Sequence, residues 1–122
     1  MNKLRIEEEF IDDSTILKLF GLIDSATSFY LESKLDELIV AERVRLVIDL
    51  TEVDYISSAG WGIFVSEIKG LREKGGDIKL AGMTPEVRDV FELLEFDTLL
   101  TPYESATDAL MAFDSRKSNK TT

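Results

Sequence analysis

Apolar and polar residues alternate at the start of the chain, and the period then changes. Leu4, Ile6 and Phe10 share one parity, Arg5, Glu7 and Glu9 hold the other, and Glu8 interrupts the apolar row, which predicts an amphipathic strand. Asp12-Asp13-Ser14 is a short polar turn, and the apolar run Thr15 to Phe20, ended by Gly21, predicts a second strand closing a hairpin with the first. The spacing then becomes helical: Leu31, Leu35, Leu38 and Ile39 follow the i, i+4, i+7, i+8 rule, with Asp24 or Ser25 as the cap. On these residues Asp24 needs no role beyond that cap. Arg45 to Leu50 is apolar on both parities and reads as a strand buried on both faces. Thr51 to Ile56 is expected as a loop crossing to the next helix.

That helix opens at Ser57-Ser58-Ala59-Gly60. Trp61, Phe64, Val65, Ile68 and Leu71 lie on one face, and Gly75-Gly76 ends the helix after about Lys74. Asp77 to Ala81 is a short strand, and in the turn Gly82-Met83-Thr84-Pro85 a threonine cap precedes a proline at the first helical position. Val87, Val90, Phe91 and Leu94 form the core face of the helix that follows. Thr98 to Tyr103 reads as an edge strand or extended segment, since Pro102 is tolerated only at an edge. Ser105 caps a last helix with Ala106, Ala109, Leu110 and Phe113 inward, and Asp108 suits its positive end.

The element order implies an α/β fold. It predicts a single domain over residues 1–113, with a mixed β-sheet of four to five strands and about four α-helices packed mainly on one face. Residues 114–122, DSRKSNKTT, have no apolar residue and are expected to form a mobile tail. Sites in such sheets are built on the loops that leave the carboxyl ends of the strands, here Ser57 to Gly60 and Gly82 to Thr84.

Composition narrows the chemistry. A chain of 122 residues suits one domain, and no apolar run reaches the length of a membrane span or a signal peptide, so a cytoplasmic protein without a membrane partner is expected. The absence of cysteine and histidine removes thiol nucleophiles, zinc-thiolate sites and the usual general base, and no carboxylate pair is marked out by position. A binding protein is expected, with no enzyme activity, no cofactor and no metal. A net charge of −10 argues against nucleic acid and favours a protein partner with a basic face.

Two adjacent hydroxyls stand at the start of the second helix. A helix start has unpaired N–H groups and a partial positive charge, so it suits a hydroxyl cap or a phosphate attached to one. A cap accounts for one serine and not for the second. Nor does it account for Ala59 and Gly60, whose small side chains leave the turn open to a partner.

The stretch Val47-Ile48-Asp49-Leu50-Thr51-Glu52-Val53-Asp54-Tyr55-Ile56-Ser57-Ser58-Ala59-Gly60-Trp61-Gly62 resembles the signature of the STAS domain family, the anti-sigma factor antagonists and their relatives. Gly21-Leu22-Ile23-Asp24-Ser25-Ala26 resembles the family's Gly-x-Leu-Asp turn, and Gly75-Gly76 with Gly82-Met83-Thr84-Pro85-Glu86-Val87 resembles its later half, so the likeness runs from about Leu4 to Phe113. It implies a STAS-like fold and a partner-switching cycle. The unmodified protein would bind an anti-sigma factor serine kinase, phosphorylation of Ser58 would end the binding, and a serine phosphatase would reset it.

The family's pattern is Asp-Ser-Ser/Thr-Gly-Leu-Gly. Here Ser57 takes the aspartate position, Ala59 that of the second hydroxyl, and Trp61 that of the leucine. Ser57 is thereby a second possible acceptor. Trp61 is either a core residue, as its spacing with Val65 and Ile68 favours, or an exposed binding anchor. The expected partner surface comprises Asp24, Ser57, Ser58, Ala59, Gly60, Trp61, Met83 and Thr84, on a monomer or weak dimer. The alternative is a STAS interaction module that is never phosphorylated.

Overall fold

A computed structural model describes the backbone of residues 4–120 and the side chains of residues 4–113. Strands β1 (Arg5–Ile11) and β2 (Ser14–Ile23) form the hairpin, and α1 (Ser28–Val40) leads to the long strand β3 (Arg45–Ile56). Then come α2 (Ser58–Glu73), β4 (Asp77–Ala81), α3 (Pro85–Leu93), a 3-10 turn at Phe96–Thr98, β5 (Thr101–Tyr103) and α4 (Ala106–Lys120). The sheet order is β1-β2-β3-β4-β5, antiparallel at the hairpin and parallel elsewhere, which is the expected mixed sheet with five strands. Helices connect the parallel strands because such strands cannot be joined by a tight turn.

Each sheet face has its own core. On one face Leu17, Leu19, Leu46, Ile48, Leu50, Ile78 and Leu80 pack against Leu31 and Leu35 of α1, Phe64 and Ile68 of α2, and Val87 and Phe91 of α3. Removing each such side chain from water stabilises the fold by about 1.5–3 kcal/mol. On the other face Val47 and Ala81 meet Ala109 and Phe113 of α4, so α4 packs opposite the three other helices. Beneath α4 lies a buried charge: Lys79 Nζ is 3.5 Å from Asp77 Oδ2 and 4.6 Å from the Phe113 ring centre, and Asp77 Oδ1 accepts from Arg72 Nε at 3.0 Å. Pairing and the aromatic face offset the cost of burying that cation.

Three expectations change. Thr51 to Ile56 is strand rather than loop: after two register shifts it continues the pairing with β2, with Val53 and Ile56 buried. Pairing with β4 stops at Asp49↔Ala81, so this half of β3 has a strand neighbour only on its β2 side. Its outward residues are polar, which is why the stretch does not read as a strand buried on both faces. Leu94 is exposed, because α3 ends at Leu93, and only Val87 and Phe91 of the expected four are fully buried. Helix α4 continues through 114–120, the first part of the expected tail, and 121–122 lie outside the described residues.

Candidate functional site

Strands β2 and β3 end side by side. Ile23 pairs with Ile56, and the Ser57 N–H donates to the Ile23 carbonyl at 2.7 Å, so the segments Asp24–Thr27 and Ser57–Gly60 leave the sheet together. Asp24 Oδ1 accepts from the N–H groups of Ala26 at 2.9 Å and Thr27 at 3.0 Å. Thr27 Oγ1 donates to the Leu22 carbonyl at 2.8 Å. Asp24 therefore caps a turn ahead of α1, not the helix itself, and Ser25 is exposed.

The two serines are placed differently. Ser57 is extended, at φ −78° and ψ 171°, and its Oγ accepts from the Gly60 N–H at 3.3 Å while its carbonyl accepts from the Trp61 N–H at 3.0 Å. That is an N-cap, and serine serves it as well as aspartate does. Ser58 is the first residue of α2. It is exposed, and its hydroxyl makes no hydrogen bond among the described residues. No acid stands in the first turn of α2, so the partial positive charge of its start is uncompensated there.

Two residues expected at the partner surface are interior. Trp61 is 1% exposed and packs on Phe96, Phe91 and Phe64, with ring centres 5.1, 5.7 and 6.1 Å away, which makes it the core residue its spacing favoured. Its Nε1 is buried without a hydrogen-bond partner among the described residues. Gly60 is also buried. A Cβ there would lie 2.6 Å from Ile23 Cγ2 and 2.9 Å from Ile56 Cγ2, so the glycine serves close packing of α2 on the sheet rather than openness to a partner. Ala59 remains exposed beside Ser58.

Met83 and Thr84 stand elsewhere along β3. Gly82 leaves β4 beside Asp49 and Thr51, a Cβ on it would meet Thr51 Cγ2 at 2.3 Å, and its N–H donates to the Tyr103 carbonyl. Met83 is half-buried against the core, and Thr84 Oγ1 caps α3 by accepting from the Val87 N–H at 3.3 Å. The stretch Thr51–Ile56 separates this loop from Ser57, because β3 overshoots β4. The structure thus groups Asp24, Ser57, Ser58 and Ala59, and leaves Met83 and Thr84 further back.

Exposed aromatics flank the group. Phe29 and Tyr30, in the first turn of α1, have ring centres 4.0 Å apart, and Tyr55, paired with Leu22 near the end of β3, is 52% exposed. The exposure of Phe29 and Tyr30 was legible in the sequence, because both lie off the Leu31, Leu35, Leu38 face of α1. Further along α2, burial raises the Glu67 carboxyl above its ordinary range, helped by a hydrogen bond with Asp36 and the charges of Asp36 and Glu32. No cluster able to hold a metal ion occurs among the described residues.

The description of the STAS domain family matches residues 5–109. The chain belongs to that family. Among STAS relatives it is similar to BtrV of Bordetella bronchiseptica, provisionally named an anti-sigma factor antagonist, at 34% identity over 110 residues that cover 90% of this chain and 95% of BtrV. It is likewise 34% identical over 90 residues to the anti-sigma-B factor antagonist of Listeria monocytogenes, covering 74% of this chain and 78% of that one. The crystal structure of an anti-sigma factor antagonist from Mycobacterium paratuberculosis superposes with a TM-score of 0.82 at 26% identity, covering 89% of this chain and 92% of that one. In this STAS domain Ser57 is the N-cap of α2, and Trp61 is buried in the core.

Proposed function

We propose that the protein is an anti-sigma factor antagonist that binds an anti-sigma factor serine kinase in its unphosphorylated form and is switched off by a phosphate on Ser58, which a serine phosphatase removes. It acts in the cytoplasm, by binding rather than catalysis. The observation that carries this reading is the division of labour at the start of α2: Ser57 is used by the cap, and Ser58 is left exposed with a free hydroxyl. The names of the relatives support the regulatory role.

A phosphate at Ser58 adds about −1.5 to −2 charge beside N–H groups that a helix start leaves unpaired, so it can be held without rebuilding the fold. The change is then confined to the surface formed by Asp24, Ser58 and Ala59. A partner packed closely there meets a bulky anion whose charge it cannot solvate. Nearby Glu52 and Asp54 are exposed and add to the negative field.

Binding to the anti-sigma kinase of the same host tests this. Wild type and Ser58→Ala are expected to bind alike, and Ser58→Asp to bind at least about tenfold more weakly. Equal binding by all three would show that Ser58 is not the switch and would favour a permanently active interaction module.

A further inference from the structure

The sheet has two edges, and they are guarded differently. Edge β5 is three residues long with Pro102 at its centre, which removes a donor and blocks pairing. Edge β1 spans Arg5–Ile11, has neither proline nor glycine, and pairs with β2 along its whole length without a register shift. Among the described residues no strand pairs with the backbone groups on its far side.

Its side chains decide which strand. Glu7, Glu8 and Glu9 are consecutive and exposed. Glu8 turns to the helix face, 3.5 Å from Lys34 of α1. Glu7 and Glu9 share the opposite parity, over Lys18 and Ile16, and border a cleft of about 510 Å³ that reaches Asp49 and Ala106 at the start of α4. Arg5 pairs with Glu7, whereas Glu9 has no cation partner among the described residues. Full-length antiparallel pairing with a second copy would be centred on Glu8, setting Glu8 against Glu8 and Glu7 against Glu9, and like charges directly opposite are destabilising. A strand with cations at alternate positions meets the reverse situation.

We propose that β1 is a strand-addition site for an extended basic segment of another protein. The segment pairs with Arg5–Ile11 and sets alternate lysine or arginine side chains against Glu7 and Glu9. Main-chain hydrogen bonds supply the affinity and the alternating charges the selectivity. This surface is independent of Ser58, so occupation of one does not require the other.

An acetylated, amidated heptapeptide alternating lysine and valine is the probe, titrated into the isotope-labelled full chain. The expected result is amide shifts and slowed hydrogen exchange along Arg5–Ile11. N-methylation of alternate peptide amides, which keeps the charge and removes donors, should weaken binding about tenfold or more, as should the double change Glu7→Gln with Glu9→Gln. Equal binding by the N-methylated peptide would mean charge attraction alone and would overturn the proposal. So would shifts scattered away from β1, absence of binding, or sedimentation showing wild-type copies already paired through β1.

Discussion

The starts of α2 and α3 are built alike and differ in what they leave over. Each is preceded by an extended hydroxyl residue, Ser57 or Thr84, whose side-chain oxygen accepts at 3.3 Å from the N–H three residues on. At α3 the next residues are Pro85 and Glu86: the proline has no N–H to satisfy, and the carboxylate lies in the first turn, where it compensates the helix end. At α4, Ser105 accepts from the Asp108 N–H, and Asp108 supplies the first-turn acid. At α2 a second hydroxyl follows the cap, and the first turn has no acid. A hydroxyl cap is therefore ordinary in this fold. A surplus serine on a helix end without a first-turn acid separates α2 from α3 and α4. Helix α1 also starts at a serine, Ser28, with no first-turn acid, but it has no side-chain cap, and Ser28 is half-buried where Ser58 is exposed.

The start of α2 is most sensitive at Gly60. Gly60→Ala forces a Cβ onto the stiff side chains of Ile23 and Ile56 and is expected to cost about 1–3 kcal/mol in denaturant unfolding. If both caps act as described, Ser57→Ala and Thr84→Ala each lose about 1 kcal/mol, and Ser58→Ala changes stability by less than about 0.5 kcal/mol. A larger loss at Ser58 than at Ser57 would reverse their assignment. Gly62→Ala is the counterpart of Gly60→Ala, since a Cβ there meets nothing within 4 Å, and it should stabilise α2 by about 0.5–1 kcal/mol.

The smallest effect concerns Glu67. Its carboxyl is raised in the folded state by burial and by Asp36, so protonation favours folding, and that contribution fades as pH rises through the raised value. Glu67→Gln should raise Tm by about 1–2 °C at neutral pH, with the gain vanishing below about pH 4. A gain that persists in acid would remove ionisation as its cause.

Much of this was legible in the chain. The element order, the Thr84 and Ser105 caps and the inward place of Trp61 follow from periodicity and local capping chemistry. The second half of β3 was not, because Thr51, Glu52, Asp54 and Tyr55 face outward along a strand paired on one side and give neither the continuous apolar run of its first half nor clean alternation. That overshoot is also why Met83 and Thr84 stand apart from Ser57 although both loops leave the carboxyl ends of strands. Gly60 was read as open space because sequence shows a missing side chain but not the two isoleucines that occupy its place. That Ser57 is the serine used as the cap needed the hydrogen bond to Gly60.

Phosphorylation at Ser58 is tested by fragment mapping, by mass spectrometry, of the protein purified from its own host under growth and stress. A phosphate is expected on Ser58, with an occupancy that changes with condition, and none on Ser57. A phosphate on Ser57, or an unmodified protein in every condition while its kinase is active, would contradict that expectation.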